Sequence, residues 1–542
     1  MTRAITAADL GVPETFNAAT HFVDRHVAEG WGDRIAIECG DERVTYASLL
    51  EQVNRFGNAL RERLEVRPEE RVLLLLLDTP AFHVAFFGAI KIGAVPIPTN
   101  TLWKPADYRH VIRDSGARAA VVSEEVAPQI RSIFPTDIPA LARMVIEGGG
   151  RPQGSAEAAF DDLLAAGSPS LDAADVRHDA PAFWLYSSGS TGAPKGCVHL
   201  QHDMMVCAEL FGKGVLGIRE DDRCFSVAKL FFAYGLGNAG YFPLAVGATT
   251  ILWPGSPAPA SVYRVIAEHR PTLFFSVPTG YGMMLAEAPP PSDFDLSSIR
   301  LAVSAGEALP PALYERFKRR FGVDIIDGIG STEVLHMFIS NRPAAIRPGS
   351  SGQIVDGYEA AVLDDDKRPV KQGEIGNLWI KGDSICECYW NQAEKTAATI
   401  QNGWIRTGDK YSQDAGGYYW YAGRSDDMLK VGGQWVSPIE LENALLEHPI
   451  VQECGVVGRA DRDGLLKPMA FVVVRGGTVA TAELAEELKA FARDHLAEYK
   501  RPRWVAFLEE LPKTATGKLQ RYKLREMGER LGRANISSSR AV

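Results

Sequence analysis

The sequence lacks the features that mark secreted, membrane-spanning and nucleic-acid-binding proteins. Its seven cysteines are odd in number and scattered along 542 residues, which favours free thiols in a reducing compartment over a disulfide framework. Residues 1–13 have no apolar core of the signal-peptide kind, and the most apolar run, residues 72–77, is too short to span a membrane. The formal net charge of −10 argues against a general nucleic-acid binder. We therefore expect a cytoplasmic protein whose partners are small molecules, with neither nucleic acid nor membrane among them.

The chain also lacks internal repeats, and it is too long for a single hydrophobic core. Over residues 46–122 and 249–330, short continuous apolar runs alternate with segments whose apolar residues have helical spacing. This alternation of strand and helix patterns predicts an α/β fold. Short strand patterns from about residue 349 predict a β-rich part, and a compact α+β module follows residues 423–427. We predict a large N-terminal domain, residues 1–423, and a small C-terminal domain, residues 424–542. Residues 148–169 and the Ser-rich tail from Asn535 are predicted to be loosely ordered.

One stretch, residues 186–196, carries most of the chemical information. It follows a short apolar run, residues 182–185, that predicts a buried strand, and it holds three glycines, three serines, a threonine and Lys195. Glycines allow a tight turn whose N–H groups face an anion, hydroxyls add donors, and Lys195 adds a mobile positive charge. The P-loop of nucleotide triphosphatases is excluded because the hydroxyl residues precede the lysine. The stretch predicts a phosphate-binding loop, with a flexible surface loop as the alternative.

Several later loops carry further polar groups. Residues 330–333, Gly-Ser-Thr-Glu, follow a predicted strand, and Glu333 suits Mg²⁺ because hard cations favour oxygen ligands. Asp409 stands in a tight glycine-containing loop and suits a ribose diol. Residues 423–433 and 511–518 add glycines and lysines. Each of these loops alone has a simpler interpretation, a solvated turn acid or a surface lysine.

Together, in this order and spacing, the motifs closely resemble the adenylate-forming superfamily, which includes acyl-CoA synthetases, luciferases and adenylation domains of nonribosomal peptide synthetases. The resemblance extends from about Thr45 to Lys523. Within the superfamily, residues 229–237 (Lys-Leu-Phe-Phe-Ala-Tyr-Gly-Leu-Gly) and residues 327–338 look most like the benzoate–CoA ligase family. The implied fold has a large N-terminal α/β domain with a β-rich subdomain and a small mobile α+β domain.

The resemblance implies a two-step reaction with ATP, Mg²⁺ and coenzyme A. A carboxylate attacks the α-phosphate of ATP and releases pyrophosphate, and the thiol of coenzyme A then attacks the acyl-adenylate and releases AMP. The implied catalytic residues are Lys518, which bridges the carboxylate and the α-phosphate, Thr332, which touches the α-phosphate, and Glu333, which holds Mg²⁺. The implied ATP and AMP site consists of Ser187, Ser188, Gly189, Ser190, Thr191, Gly192, Lys195, Ala305, Gly306, Glu307, Asp327, Gly328, Thr332, Asp409 and Arg424.

An acyl pocket and a domain rotation are implied in the same way. Tyr234 stands where relatives carry an aromatic residue near the substrate carboxylate, and His336 matches a histidine of the benzoate group. The small residues Ala233, Ala305 and Gly330 leave room for a flat ring, and Phe231, Phe232 and Tyr281 are further candidates for the lining. The C-terminal domain is expected to rotate about a hinge at Asp426. That rotation withdraws Lys518 and brings in Gly432 and Gly433, which line the coenzyme A tunnel.

Alternatives remain open at this stage. The enzymatic alternatives are another aryl or an aliphatic acyl-CoA synthetase, and an adenylating enzyme that loads a carrier protein. A degenerate nucleotide-binding protein is the non-enzymatic alternative, although the joint presence of Lys195, Glu333, Asp409 and Lys518 argues against it. For His336 the alternative is a core histidine on a helix that follows Glu333. Both a monomer and a homodimer fit the sequence.

Overall fold

A parallel sheet and its helices form the first part of the chain. The computed structural model describes residues 3–134, 136–138, 140–189, 192–287, 295–431, 434–462, 464–513 and 519–538. The first elements are a π-helical turn (Thr20–Asp24), α1 (Arg25–Ala28), β1 (Ile35–Cys39), β2 (Glu42–Thr45), α2 (Tyr46–Glu62), β3 (Arg71–Leu75), α3 (Pro80–Lys91), β4 (Val95–Pro98), α4 (Pro105–Ser115), β5 (Ala119–Ser123), α5 (Ala127–Arg131), β6 (Arg143–Glu147), β7 (Glu157–Ala159) and α6 (Phe160–Ala166).

Helices cover both faces of the sheet β4-β3-β5-β6-β7, as the continuous apolar run of β3 predicts. Helices α2 and α3 cross closely at Gly57 and Gly88, because a side-chain carbon at Gly57 would come within 3.1 Å of the Gly88 carbonyl oxygen. Every residue of α3 is buried, including Lys91, whose ammonium group donates to Asn54 at 2.6 Å and to Asp24. The strands and helices predicted between residues 46 and 122 are therefore confirmed within a few residues of their bounds.

The prediction that residues 148–169 are loosely ordered is wrong for their second half. Strand β7 pairs in parallel with β6, and α6 follows it directly. The carboxylate of Glu157, whose side chain is only 3% exposed, accepts hydrogen bonds from Arg131 at 2.9 and 2.7 Å. The order of this segment comes from its neighbours, because its Ala- and Gly-rich sequence shows no periodicity of its own.

The middle of the chain contributes most of a second sheet. Its elements are β8 (Pro181–Gly189), β9 (Gly192–Leu200), α7 (Asp203–Cys207), β10 (Arg223–Ser226), α8 (Ala233–Gly235), α9 (Phe242–Val246), β11 (Thr249–Leu252), α10 (Pro259–His269), β12 (Leu273–Ser276), α11 (Pro278–Ala286), β13 (Leu301–Ser304), α12 (Pro311–Phe321), β14 (Ile325–Gly330) and β15 (Met337–Ser340), with π-helical turns at Ala208–Lys213 and Leu236–Tyr241 and a 3₁₀ turn at Thr332–Val334. The β-rich part then follows with β16 (Gln353–Ile354), β17 (Glu359–Leu363), β18 (Gly376–Lys381), β19 (Cys388–Tyr389), α13 (Ala393–Thr399), β20 (Ile400–Gln401), β21 (Trp404–Gln413) and β22 (Tyr419–Arg424).

The second sheet has the order β16-β15-β14-β13-β12-β10-β11-β1-β2 within the described residues. Strands β10 to β14 are parallel, so their carboxyl ends lie along one edge, which is where open α/β sheets bind ligands. Strand β14 runs through residues 327–330 and ends where the Gly-Ser-Thr-Glu motif begins. The strand continues because β15 pairs with it in antiparallel fashion, and a side chain at Gly330 would come within 2.6 Å of the His336 carbonyl oxygen.

The predicted β-rich part is confirmed by β17, β18, β21, β20 and β22, which form one antiparallel sheet. The last part contains β23 (Leu429–Val431), β24 (Gln434–Val436), α14 (Pro438–Leu446), β25 (Val451–Ala460), β26 (Leu466–Val474), α15 (Ala482–His495), a 3₁₀ turn (Glu498–Lys500), β27 (Trp504–Phe507) and α16 (Arg521–Ser538). Among these and all other helices of the described residues, none is both long enough and apolar enough to cross a membrane.

A small sheet, β25-β26-β27, with α14 and α15 against it confirms the predicted α+β module. The tail differs from the prediction, because α16 continues to Ser538 rather than fraying at Asn535. The helix is anchored early by Leu524, which is fully buried against the sheet. Once a helix is nucleated, each added residue costs little, so α16 extends into the Ser-rich segment.

Candidate functional site

Strands β8 and β9 form a hairpin, residues 181–200, that we call the phosphate hairpin. Ser187 pairs with Lys195, and Gly189 pairs with Gly192, so the strands continue into the stretch that the sequence analysis assigned to a loop. Ser190 and Thr191 lie outside the described residues, and Ser188, Gly189 and Gly192 are described only through their backbone. The described part of this stretch is therefore a paired hairpin and not a flexible loop, because antiparallel hydrogen bonds hold the backbone on both sides of residues 190 and 191.

Lys195 is held in place rather than mobile, which corrects the sequence-based expectation. It is buried, and its Nζ donates a hydrogen bond to Glu333 Oε1 at 2.8 Å. The same ammonium group lies 3.8 Å from the centre of the Tyr389 ring, a cation–π contact. The structure thus brings two predicted site residues together, although 138 positions separate them in the chain.

Glu333 lies in a single 3₁₀ turn, Thr332–Val334, that we call the Glu333 turn. The Ser331 hydroxyl caps the turn by accepting from the Val334 backbone N–H at 3.2 Å, and the Tyr389 hydroxyl donates to Glu333 Oε1 at 2.9 Å. Burial alone would raise the pKa of Glu333, but the charge and hydrogen bond of Lys195 bring it below its ordinary value. Glu333 is therefore an ionised, partly buried carboxylate, which is the kind of oxygen ligand that a hard cation prefers.

The Glu333 carboxylate is the only described candidate for holding Mg²⁺ at this place. Within the described ranges, no three His, Cys, Asp or Glu side chains converge to form a metal cage. Mg²⁺ is commonly bound through one or two carboxylates together with substrate phosphates, so a single carboxylate beside a phosphate hairpin fits that mode of binding.

Segments from two adjacent strands form the predicted adenine wall. Strand β13 leads into Ala305, Gly306 and Glu307, and Asp327 of β14 pairs with Ser304 at its end. Gly306 has φ +90°, a conformation that favours glycine. At Gly328 a side chain would come within 2.5 Å of the Ile339 carbonyl oxygen, so glycine is required there too. Both glycines are thus explained by the backbone alone, without a ligand.

Asp409 and Arg424 are brought together as the resemblance implied. Asp409 lies within β21, opposite Arg424 of β22, and not on a loop as the sequence analysis expected. Arg424 Nη1 donates to Asp409 Oδ1 at 3.0 Å and to the Thr407 carbonyl at 3.1 Å. Gly408, with φ +79°, leaves room for the guanidinium group, which a side chain there would meet at 2.8 Å.

Two of the predicted acyl-pocket residues, Tyr234 and Gly330, lie beside His336. The His336 ring centre lies 5.7 Å from that of Tyr234, 5.0 Å from Phe211 and 4.5 Å from Phe242. His336 is not on a helix, because the Glu333 turn ends before it and β15 begins after it. Ala233 and Ala305 are nearly fully buried small residues, as expected for packing against a flat ring. Tyr281 is different: it is fully buried between Phe274 and Phe317 and belongs to the core.

His336 is neutral in this environment. Burial lowers its pKa to about 3, and its Nε2 lies 3.2 Å from Asn238 Oδ1. Asn238 Nδ2 donates to the Ser226 hydroxyl at 3.4 Å, so the amide oxygen Oδ1 is the atom that faces the histidine. Because Oδ1 is an acceptor, His336 Nε2 carries the ring proton. Gly237 is required beside the ring, since a side-chain carbon there would meet the imidazole at 2.3 Å. The histidine therefore presents an uncharged aromatic ring.

Comparison with known proteins identifies the family. The profile of the AMP-binding enzyme family matches residues 24–390, and that of the AMP-binding enzyme C-terminal domain matches residues 440–518. The chain belongs to the AMP-binding enzyme family. Benzoate–CoA ligase from Thauera aromatica is 48% identical over 521 residues, which cover 96% of this chain and 98% of the relative.

Solved structures agree with this assignment. The anthranilate CoA ligase AuaEII in complex with anthranoyl-AMP matches with a TM-score of 0.92 at 44% identity, over 97% of this chain and 99% of that chain. A benzoate CoA ligase from Burkholderia xenovorans LB400 matches with a TM-score of 0.87 at 45% identity, over 94% and 100%. The predicted adenylate-forming fold is therefore confirmed, with its large N-terminal and small C-terminal parts.

In this AMP-binding enzyme, the segment after β22 is tied to the last helix. Arg525 Nη1 donates to the Asp426 carbonyl at 3.3 Å and to Asp427 Oδ1 at 3.1 Å. Arg521, at the start of α16, donates to Glu442 and, at 2.9 Å, to the Val456 carbonyl. The predicted hinge residue is thus connected to the helix that follows the Lys518 loop.

Like Ser190 and Thr191, the predicted residues Gly432, Gly433 and Lys518 lie outside the described residues. An isolated bridge pairs Lys513 with Leu519, on either side of residues 514–518. A cavity of about 540 Å³ beside this bridge is lined by Lys513 and Gln520 on one side and by Thr279 and Met283 of α11 on the other. The two parts of the AMP-binding enzyme therefore face each other beside the Lys513–Leu519 bridge.

The sequence analysis missed Tyr389. This residue contacts both Lys195 and Glu333, and its neighbour Cys386 donates its backbone N–H to the Glu333 carbonyl at 2.7 Å. No local signal marks it, because Tyr389 stands in a short apolar-looking strand of two residues. Only the pairing of β19 with β9, Tyr389 opposite Cys197, carries it to the phosphate hairpin.

The buried carboxyl group of Asp327 predicts a pH-dependent stability. Burial raises its pKa to about 8 from an ordinary value of 3.8, although the Leu309 backbone N–H donates to it. The folded state then binds one proton more than the unfolded state between these two pH values, so stability is lost as pH rises through this window. The slope for one proton is about 1.4 kcal/mol per pH unit. Asp327→Asn cannot ionise, so the Tm of the wild type relative to this variant is expected to fall from pH 5 to pH 8. A Tm difference that is constant with pH would contradict the assignment.

Proposed function

We propose that this chain is an ATP-dependent aryl-CoA ligase that converts benzoate, or a simple substituted benzoate, to its coenzyme A thioester. In the first step the carboxylate attacks the α-phosphate of ATP, and pyrophosphate leaves. In the second step the thiol of coenzyme A attacks the acyl carbon of the adenylate, and AMP leaves. The observation that carries the aryl assignment is the neutral, buried His336 ring among Tyr234, Phe211 and Phe242, in a chain 48% identical to a benzoate–CoA ligase.

The Lys195–Glu333 pair is the proposed phosphate and metal site. In the free protein the ammonium and carboxylate groups neutralise each other at 2.8 Å. When ATP arrives, its phosphates compete for Lys195, and Glu333 Oε1 is released for a cation. Mg²⁺ held there would neutralise charge on the departing pyrophosphate. Lys195 stays close throughout, because the Tyr389 ring holds it from the side, so little reorganisation accompanies the charge change.

The nucleoside part of ATP is proposed to lie along the edge of the second sheet. Asp409 accepts the ribose hydroxyls, with Arg424 fixing its orientation through the bond at 3.0 Å. Ala305, Gly306, Glu307, Asp327 and Gly328 wall the adenine. Thr332 contacts the α-phosphate next to Glu333, and the hairpin residues Ser187 to Gly192 bind the terminal phosphates. The proposed adenine-wall residues and Thr332 lie at or after the carboxyl ends of the parallel strands β13 and β14, where open α/β sheets bind ligands.

The acyl ring is proposed to lie between Tyr234 and the small residues Ala233, Ala305 and Gly330, with His336 behind it. A neutral imidazole suits an apolar ring, whereas a charged one would need a counter-ion in a buried place. The Tyr234 hydroxyl is occupied by the Val303 carbonyl at 3.0 Å, so its ring, and not its hydroxyl, faces a substrate. This arrangement favours benzoates over acids with a polar chain.

The second step needs a different arrangement of the small domain. We propose the domains 1–423 and 424–542, with rotation about Asp426. The rotation removes Lys518 from the acyl-adenylate and brings Gly432 and Gly433 beside the path of the coenzyme A thiol. Glycines permit close approach of a thin pantetheine arm. The rotation gates access and does not itself accelerate the chemistry.

The function is tested by following pyrophosphate and thioester over a panel of acids. Benzoate, hydroxy- and aminobenzoates, cyclohexane carboxylate and short fatty acids are compared by kcat/KM, with and without coenzyme A. We expect pyrophosphate release with benzoates and full turnover only with coenzyme A. Higher kcat/KM for a fatty acid would favour an aliphatic acyl-CoA synthetase. Adenylation without any thioester formation would favour a carrier-loading enzyme.

Variants of the acyl pocket give a second prediction. His336→Ala and Tyr234→Ala are expected to raise KM for benzoate by roughly 10-fold or more, because each removes ring contacts worth a few kcal/mol. KM for ATP should stay nearly constant, since the hydrogen bonds described for the two side chains go to Ser276, Val303 and Asn238, which are outside the proposed ATP site. Steady-state kinetics with each substrate varied in turn provides the measurement.

Tyr281→Phe is the matched control for these variants. Its hydroxyl donates to the same Val303 carbonyl, at 2.8 Å, but its ring is fully buried elsewhere. Tyr281→Phe should leave KM for benzoate unchanged. If His336→Ala raises KM for benzoate and for ATP equally, His336 is a structural core residue and the pocket assignment is wrong.

A further inference from the structure

A buried Asp203–His199 pair lies behind the Glu333 turn and has none of the roles proposed above. Both side chains are 0% exposed. Asp203 Oδ2 accepts hydrogen bonds from His199 Nδ1 at 2.8 Å and from the Leu200 backbone N–H at 3.1 Å. The opposite ring nitrogen, His199 Nε2, lies 2.8 Å from the carbonyl oxygen of Thr332. A carboxylate, an imidazole and a backbone carbonyl therefore form one chain of hydrogen bonds that ends on the Glu333 turn.

Both ring nitrogens of the imidazole are engaged. Each lies 2.8 Å from an oxygen atom, Nδ1 from the Asp203 carboxylate and Nε2 from the Thr332 carbonyl. The ring also stacks on Phe183, with centres 5.2 Å apart and an angle of 18° between the planes. These three contacts leave the ring a single orientation, and buried polar chains of this kind rigidify the groups at their ends.

His199 lies on the same strand as Lys195 and contacts the other segment of the proposed phosphate site, the Glu333 turn. Lys195 and His199 belong to strand β9 and, being four residues apart, lie on the same face of it. Lys195 reaches the Glu333 carboxylate, and His199 reaches the Thr332 carbonyl. One rigid strand thus sets both the side chain and the backbone of the Glu333 turn.

The Glu333 turn needs such support because it is weak by itself. It consists of one 3₁₀ turn of three residues, and the next residue, Leu335, has φ +68°, which is costly for a leucine. The surrounding structure must therefore hold the turn. His199 holds the Thr332 carbonyl, and the Cys386 backbone N–H holds the Glu333 carbonyl.

We propose that His199, supported by Asp203, is a positioning residue for adenylation. It fixes the Thr332 carbonyl and thereby places the Thr332 hydroxyl and the Glu333 carboxylate for the phosphates of ATP. The inference rests on the proposed function, because it takes the roles of Thr332 and Glu333 in adenylation as given. Neither His199 nor Asp203 contacts a reacting atom in it.

His199→Phe tests the proposal, because a phenyl ring keeps the volume and the stack on Phe183 and removes both hydrogen bonds. We expect kcat for adenylation to fall roughly 10- to 100-fold, the range seen when groups that orient a ligand-binding residue are removed. KM for benzoate should change much less, since the acyl pocket is not involved. Conversion of a supplied benzoyl-adenylate and coenzyme A to the thioester should stay close to the wild-type rate. His199→Gln, which can still donate to the Thr332 carbonyl, should recover part of the loss.

His26→Phe is the matched control. His26 is also fully buried, stacks on Trp31 with ring centres 5.6 Å apart, and contacts a backbone carbonyl, that of Leu244. The His26→Phe substitution should lower Tm about as much as His199→Phe does, and it should leave both half-reactions intact. The proposal is overturned if His199→Phe slows adenylation no more than His26→Phe does, or if it slows both half-reactions equally.

A double variant separates this proposal from the function on which it rests. Because His199 acts through the Glu333 turn, His199→Phe combined with Glu333→Gln should lose less activity than the product of the two single losses. If Glu333→Gln alone has no effect on adenylation, the proposed function of the turn fails. If Glu333→Gln has its full effect and His199→Phe has none, only the positioning role fails.

Discussion

Replacing Lys518 by alanine is expected to slow adenylation by roughly 10³-fold or more, because a fixed cation at the α-phosphate is worth several kcal/mol in the transition state. Conversion of a supplied benzoyl-adenylate to the thioester should remain close to the wild-type rate, since the proposed domain rotation withdraws the lysine for that step. An isolated bridge pairs Lys513 with Leu519, on either side of residues 514–518. Beside it lies Thr279, whose hydroxyl donates to Glu307 of the proposed adenine wall at 3.2 Å. Lys513 therefore lies near the proposed ATP site.

Single-turnover kinetics of the two half-reactions measures this effect. Lys513→Ala is the matched control, because it removes the same charge from one end of the same loop. Lys513 is already paired with Glu453 at 2.7 Å, so its loss should change neither half-reaction by much. Equal slowing of both half-reactions by Lys518→Ala would mean that the lysine is not withdrawn between the steps, and the proposed domain rotation would then not apply.

Glu333→Gln is expected to slow adenylation by roughly 10²- to 10³-fold at limiting Mg²⁺. The substitution keeps the shape of the side chain and removes its charge, which lowers affinity for a divalent cation. It also leaves the buried ammonium group of Lys195 without the carboxylate that neutralises it. Raising the Mg²⁺ concentration should recover part of the rate, because the defect lies in binding the cation. The measurement is the pyrophosphate burst as a function of Mg²⁺ concentration.

The matched control for this variant is Glu157→Gln. Glu157 is likewise a buried carboxylate in an ion pair, with Arg131 at 2.7 Å, but it lies at the edge strand β7 of the first sheet. Its substitution should lower Tm without changing the dependence of the burst on Mg²⁺. A normal burst from Glu333→Gln at limiting Mg²⁺ would refute the assignment of Glu333 to the metal.

Much of the site could be predicted because its residues stand in short motifs. The order of glycines, hydroxyls and Lys195 in residues 186–196 is local information, and so is Glu333 after a predicted strand. The strands were predictable too, since β3, β5 and β13 are continuous apolar runs bounded by turn residues. These patterns could not show whether a side chain is buried or paired, or which kind of element carries it. Lys195 was expected to be mobile, but it is buried and paired, and Asp409 lies within a strand.

Residues that act through long-range contacts were not predictable. Tyr389 and His199 have no motif of their own, and they reach the Glu333 turn over 56 and 133 positions of the chain. Such contacts are made by sheet pairing, β19 with β9 and β9 with β8, and a sequence pattern does not specify which strands pair. For the same reason the alternative interpretation of His336, a core histidine, put the residue on a helix after Glu333, which only the pairing of β15 with β14 excludes.

The sequence by itself determined the class of fold and the chemistry of the proposed ATP site, because periodicity, glycine positions and the order of charged motifs are properties of short segments. Only the tertiary structure decided the environment of each group: the Lys195–Glu333–Tyr389 contacts, the neutral His336 and the Asp203–His199 chain behind the turn. Burial and pairing set charge state and orientation, and both depend on residues that are distant in sequence and adjacent only after folding.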